Sequence, residues 1–503
     1  MERGSVVDVI ANAHVGGEGR ELLSHPDVAA CGLYDIWLAN GRIADIAPAG
    51  AIRRAGRVLD ADGAWAVPGL WDHHAHLLQA ALAVSRASVA HAASPAEAAR
   101  FAAAQPLQAD GRRLVIRWAD ALWSEPASLA LLDEMSGEEP AYLIGADVHA
   151  VWMNSAAFRR EGLVPSDATG VVREAPAFAL IDRLGDVDGA IADGALRQLA
   201  ERSAARGVVG VWDLELGENL GPWTRRAEAG WDGLRVFTDV YPEHLDAAIA
   251  AGLGTGDPVA GSELVRLGML KVFGDGSLGT RTAATTDDYS GLPGRRGALS
   301  TSPDEMAALV ERAASAGLAT TIHAIGDVAN AAALDAFARA EVPGRIEHAQ
   351  LVRAADVPRF ARLDVEASMQ PRHLVDDRDL TDRFWGGQTA VPYPLRALRD
   401  VGASLLFGSD APVSDLDPWT QIAAAVHRTG DERDPWRPEQ ALDVRTALAA
   451  STLGGSGDPQ QVLPGAPADL ALVAADPLAA PRAVLEAMPV HATMIAGRLT
   501  HLG

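Results

Sequence analysis

Residue types that bind metal ions recur at the ends of apolar, strand-like runs in this chain. His74 and His76 lie in GLWDHHAH, Lys271 in GMLKVFGDG, His323 in LATTIHAIGD, His348 in GRIEHAQ and Asp410 in SLLFGSDAP. Side chains alternate faces along a strand, so His74 and His76 point one way while His73 and Ala75 oppose them; two imidazoles can then reach one ion. A single buried histidine more often hydrogen-bonds a carbonyl, and no one of these would decide the matter. Their order carries the weight: of 14 histidines, four sit at strand ends and are followed by an aspartate in the same position. His14, His25, His91, His244, His427, His491 and His501 lie in termini or helical stretches and read as surface or structural groups.

Lys271 is a different kind of candidate. A protonated amine cannot ligate a cation, and burying one unpaired is costly. Burial lowers its pKa, and the neutral amine can add carbon dioxide to give a carbamate whose two oxygens bridge two divalent ions. From the segment alone, an ordinary ion pair with Asp275 is the simpler reading.

These residues need elements that bring distant segments together. Five of the runs above, with GVVGVWDL, LRVFTDV and DVEASMQPRH, make eight strand candidates, enough to close a parallel barrel. Helical stretches between them begin at Ser, Pro or Asp and stop at Gly, as in STSPDEMAALVERAASAG. The expected fold is therefore α/β, a (β/α)8 TIM barrel over residues 68–459. Residues 1–67 alternate short apolar runs with turn signals, including a hairpin at Asn40-Gly41, and 460–503 repeat the pattern. Both ends are expected to share one composite β-sandwich. Residues 78–206 are too long for a crossover and contain LVIRWA and AYLIGADVHAVWM, so they read as an inserted α+β lid over the C-terminal mouth.

With the motifs in place, the chain resembles the amidohydrolase superfamily, in the branch of metal-dependent hydrolases related to N-substituted formamide deformylase. The likeness spans nearly the whole chain. PGLWDHHAHL is similar to the first-strand metal motif, LKVFGDGSLGTRTAA to the lysine strand, TIHAIGD and RIEHAQ to the later histidine strands, and GSDAPV to the catalytic aspartate. VGVWD, SMQPRHL, DPWTQIAAAVHR and GAPADLALVAADP also fit, and DVHAVWMNSAAF resembles the inserted lid. The resemblance implies one or two divalent ions, usually zinc, and hydrolysis of a carbon–nitrogen bond other than a peptide bond. By matched position His74, His76, His323 and His348 would be ligands, Lys271 a carbamylated bridge, and Asp410 both ligand and proton carrier. A homodimer is consistent with it.

Candidates for holding a small-molecule substrate are Arg281, His373, Gln370, His149 and Trp152; Arg281 reads equally as an ion-pair partner and Trp152 as a lid-core residue. A lactonase, decarboxylase or isomerase could use the same ligands, since fold does not fix chemistry. A non-catalytic binding protein would be expected to have lost a ligand or the aspartate, and none is lost. A net charge of −24 without clustered Lys and Arg argues against nucleic acid. The single cysteine, Cys31, excludes an internal disulfide or a cysteine zinc cluster and reads as structural. The first residues lack an export pattern and no apolar run is long enough for a membrane span, so a cytoplasmic location is expected.

Overall fold

The computed structural model describes residues 1–15 and 32–503; the reading of Cys31 lies outside the described residues. Eight parallel strands form the centre: β1 (Leu70–Ala75), β2 (Val208–Asp213), β3 (Arg235–Val240), β4 (Val265–Phe273), β5 (Thr320–Ala324), β6 (Gly344–His348), β7 (Val365–Met369) and β8 (Leu405–Phe407). They pair in chain order from β1 to β8. Beyond β8 the chain returns to β1, where the Asp410 amide donates to the His74 carbonyl at 2.7 Å and the His76 amide to the Ala411 carbonyl at 2.8 Å. The ring is thereby joined, and the eight segments nominated by sequence are its eight strands. It is a TIM barrel.

The strands are apolar runs because both faces are covered. Every residue of β1, β2, β5 and β6 is buried. Leu267, Ile322, Ile346 and Ala367 join the surrounding helices in one core. One such helix, Pro303–Ser315, starts where Ser302 accepts from the Glu305 amide at 3.3 Å, and the serine-to-glutamate spacing of this cap is readable in the sequence.

A second sheet, also of eight strands, draws on both chain ends. Trp65–Pro68 pairs antiparallel with Leu470–Val473, and Val490–Ile495 and Arg498–Leu502 extend that edge. On the other side lie Val9–His14, Leu33–Ala39 and Arg42–Pro48, the last two joined through Asn40 and Gly41 at φ +51° and +73°. Positive φ at both central residues suits Asn-Gly in a two-residue hairpin. Ile10, Ile36, Leu470 and Met494 share the core of this unit.

A five-stranded sheet lies within residues 78–206, in the order Val171–Arg173, Ala150–Met153, Ala141–Gly145, Arg113–Trp118 and Ala87–Ser88. The helix Gly189–Ala204 belongs elsewhere: its Leu196, Leu199 and Ala200 pack into the barrel core, as do Leu77 and Ala80. The residues at the insert's own heart, such as Tyr142, Val151 and Leu180, lie in sequence between the helices Leu77–Ala83 and Gly189–Ala204. No helix among the described residues is long and apolar enough to cross a membrane.

Candidate active site

The C-terminal ends of the strands bring the predicted donors together. Nε2 of His74 and Nε2 of His76 each stand 3.3 Å from Oδ1 of Asp410. The His348 ring lies 4.9 Å from that of His74 and 4.5 Å from that of His323, centre to centre. Two triads of candidate donor atoms share Asp410: His74, His76 and Asp410, and His348, His373 and Asp410. His373 thus offers a ligand atom as well as a wall of the cleft, with Nε2 3.9 Å from Asp410 Oδ2. His73 turns away, as the strand alternation requires, with Nε2 2.8 Å from the Thr452 carbonyl.

Backbone conformation explains how β6 contributes twice. Neighbouring residues of a regular strand face opposite ways, yet Glu347 and His348 both reach His74. His348 and Ala349 have φ of +73° and +44°, so the strand breaks at its last residue and turns the imidazole inward. Glu347 Oε2 accepts from His74 Nδ1 at 2.7 Å, and its Oε1 accepts from Thr321 Oγ1 at 2.7 Å. A carboxylate on the far nitrogen of a ligating imidazole fixes the tautomer and the ring orientation. Glu347 carries only one signal in the sequence, an acidic residue inside an otherwise apolar run, which demands a partner when buried.

Lys271 is 1% exposed and its Nζ has no hydrogen-bond partner among the described residues. It does not pair with Asp275, whose carboxylate accepts the amides of Ala284, Ile325 and Gly326 at 2.8–3.0 Å. That disposes of the simpler reading of the lysine strand. Burial pushes the amine's pKa down, against Glu347, Asp410 and Asp239, which pull it up. Burial and neighbouring histidines hold His323 and His348 well below the usual imidazole range. For Asp410, burial opposes ionisation, but His74 and His76 outweigh it and keep the carboxyl well below the ordinary value. Neutral imidazoles and an ionised carboxylate are the forms that bind cations.

These groups fit a divalent ion. With Nδ1 of His74 donating to Glu347, its Nε2 turns a lone pair toward a carboxylate oxygen that Nε2 of His76 also faces; a cation between them resolves the repulsion. The candidate donor atoms surround a cavity of about 20 Å³. It adjoins a cleft of about 800 Å³ whose lining includes His348, His373, Asp410, His149, Trp118 and Leu380.

The remaining sequence candidates are divided by the structure. His149 comes from the insert and lies at the junction of both cavities. Burial alone would lower its pKa, but Glu174 Oε2, 2.9 Å from Nδ1, raises it to about 9. Gln370 is buried beside His74, with Nε2 3.4 Å from His74 Nδ1, and does not line the cleft. Arg281 lines a separate cavity of about 340 Å³, lies over the Phe384 ring at 5.6 Å and donates to the Gly279 carbonyl. Trp152 is fully buried in the insert's second core beside Trp118, its lid-core reading.

The model of the amidohydrolase family matches residues 57–501. This chain belongs to that family. It is 24% identical over 519 residues to the N-substituted formamide deformylase of Arthrobacter pascens, covering 93% of this chain and 94% of that protein. It is 28% identical to Protein LONG AFTER FAR-RED 3 of Arabidopsis thaliana, over 78% of this chain and 74% of that one. Among solved structures, an uncharacterized metal-dependent hydrolase of Pyrococcus horikoshii OT3 superposes with a TM-score of 0.77 at 25% identity, covering 94% of this chain and 99% of that one. An N-isopropylammelide isopropylaminohydrolase of Burkholderia multivorans, 16% identical with a TM-score of 0.54, shares the fold. As an amidohydrolase with this donor set, the chain is a metal-dependent hydrolase.

Proposed function

We propose that this amidohydrolase cleaves a non-peptide carbon–nitrogen bond of a small molecule, with zinc as the ion. The observation that carries the reading is the convergence of His74 and His76 on Asp410, with Glu347 behind His74. The resemblance to a formamide deformylase along almost the full length of both chains supports the choice of bond.

His74, His76 and Asp410 would hold one ion, with His323 and His348 completing a donor set for one or two ions. Lys271 would serve as the bridge once its neutral amine attacks carbon dioxide and gives up a proton to solvent. A divalent ion supplies Lewis acidity there, polarising an acyl oxygen and lowering the pKa of water from about 16 to about 7. Asp410 faces the cleft and accepts the proton of the attacking water, then delivers it to the departing nitrogen. His373, whose Nε2 has no hydrogen-bond partner among the described residues and stands at the cleft wall, orients the acyl group. The inner cavity admits little beyond the reacting atoms, while the larger cleft, of a size typical for small-molecule sites, takes the rest of the substrate.

The test is turnover of the metal-loaded enzyme on formamides, acylated amines, cyclic amides, esters and lactones, with metal analysis and density at Lys271. Nitrogen release from an amide is expected. Turnover of esters or lactones alone would overturn the bond assignment, and one ion beside a bare lysine would remove the bridge.

A further inference from the structure

The loop after the lysine strand, GDGSLGTRT, uses its hydroxyl groups to hold the insert. Thr280 Oγ1 and Thr282 Oγ1 donate to Glu174 Oε1 at 2.8 and 2.6 Å, and Ser277 Oγ donates to Asp147 Oδ2 at 2.7 Å. The glycines of this loop make the approach possible. A Cβ on Gly276 would come within 2.8 Å of Glu174 Oε2, and one on Gly279 would overlap the Asp147 carboxylate. From the insert side, Glu174 adopts φ +55°, and its amide donates to the His149 carbonyl at 2.9 Å. A left-handed glutamate is strained and persists only where its surroundings hold it.

The other oxygen of the same carboxylate accepts from His149 Nδ1 at 2.9 Å. The ring is packed edge-on against Phe178 and stands 5.4 Å from the His323 ring, centre to centre. Among the described residues, nothing hydrogen-bonds His149 Nε2, and the side chain borders both the ligand cavity and the substrate cleft. A continuous path therefore runs from the barrel loop through Glu174 to a ring nitrogen at the point where a substrate must pass from one cavity into the other.

We propose that Glu174 is a positioning residue: clamped by Thr280 and Thr282, it fixes the His149 ring so that Nε2 contacts the scissile group. Docking of the insert is thereby tied to catalysis. The inference rests on the hydrolytic reading above. Glutamate suits the position because a carboxylate accepts at both oxygens and donates at neither, so it takes two hydroxyls and one imidazole N–H at once. Glutamine has the same shape but one acceptor oxygen; serving the threonines, it turns its amide hydrogens against His149 Nδ1–H.

The experiment is a double-mutant cycle of Glu174→Gln and His149→Ala in the metal-loaded enzyme, with kcat, KM, melting temperature and metal content measured for each protein. The substrate is the one that the wild type turns over fastest in the amide and ester panel. His149→Ala is expected to lower kcat about a hundredfold. Glu174→Gln should lower it about tenfold with metal content and melting temperature held, and the double variant should match His149→Ala. Additive losses, or a Glu174→Gln enzyme with wild-type kcat, would overturn the proposal. Should Glu174→Gln not fold, Thr282→Val reads the same coupling from the barrel side. If only esters are cleaved, the amide reading fails while the cycle still decides this one. If nothing is turned over, a crystal structure of Glu174→Gln decides: a rotated His149 ring supports it, and an unmoved ring refutes it.

Discussion

Two buried polar side chains, one in the insert and one in the barrel, are treated in opposite ways. Asn154, in the insert, is fully buried and uses all of its hydrogen-bonding capacity: Oδ1 accepts the amides of Ala141 and Ala157 at 3.1 and 2.9 Å, and Nδ2 donates to the carbonyls of Gly137 and Glu139 at 3.4 and 2.9 Å. Lys271, at the barrel mouth, is as deeply buried and among the described residues uses none. Buried polar groups are normally satisfied; unpaired ones occur elsewhere in this chain too, as at Ser136 Oγ and Trp212 Nε1, but at the barrel mouth they gather among groups able to bind a cation. His76 Nδ1, His348 Nδ1 and His373 Nε2 are further exceptions in the same place. Satisfied groups should govern stability, and unsatisfied ones should govern activity.

The largest effect that could break this division is at Asp410. Asp410→Asn keeps the shape of the side chain but removes its capacity to carry the proton, and turnover should fall about a thousandfold. Melting temperature should stay within a few degrees of the wild type, and metal analysis should show retained ion; a stable, near-normally active variant would sink the assignment. Asn154→Ala should do the reverse. It strands two amides and two carbonyls and removes a helix cap, costing about 2–4 kcal/mol, read by denaturant unfolding, with kcat of the folded fraction unchanged. Glu347 tests the boundary, since it is fully hydrogen-bonded yet serves a ligand. Glu347→Gln should weaken metal affinity by about 10- to 100-fold, measured by chelator competition, and an unchanged affinity would make Glu347 merely structural.

The barrel was legible in the sequence because its signal is local: an apolar run, in five of eight cases carrying a residue able to bind metal, repeated at intervals. The Asn40-Gly41 hairpin was legible for the same reason. Pairings between distant segments were not. Nothing in GRIEHAQ tells that Glu347 meets His74, because that depends on the positive φ at His348, which puts two neighbouring side chains on one face. Nothing in GDGSLGTRTAA tells that its threonines hold Glu174. The place of Arg281 after Lys271 suggests substrate contact, and the loop directs it toward Phe384 and a cavity separate from the cleft, a direction the local sequence does not reveal. Trp152 shows the usual ambiguity of an aromatic residue in a strand, which packs inward as readily as it lines a cleft.

Carboxylates extend the contrast to pH, where the smallest effect is expected. Asp35, in the sheet built from both chain ends, is fully buried. It accepts from Arg54 Nε and Nη2, both at 2.8 Å, and from the amides of Asn12 and Gly50. Burial raises its pKa, but Arg54 and the two amides outweigh burial and leave it below the usual 3.8. Asp239, on β3, has a single hydrogen-bond partner among the described residues, the Met269 amide, and burial carries it up to about 8. The signs are therefore opposite. A folded-state pKa below the unfolded one means that the folded state binds fewer protons, so Asp35 contributes stability that is complete above pH 3.8 and is lost as pH falls through the folded value. For Asp239 the folded state keeps a proton that the unfolded chain releases, so stability falls as pH rises toward 8. Asp35→Asn isolates the first case. The melting-temperature gap between wild type and variant should be constant between about pH 5 and 8 and should close below pH 4 or so, as Asp35 itself becomes neutral. A gap that persists in strong acid would mean that shape, not charge, holds Arg54 in place, and the satisfied half of the comparison would lose its electrostatic basis.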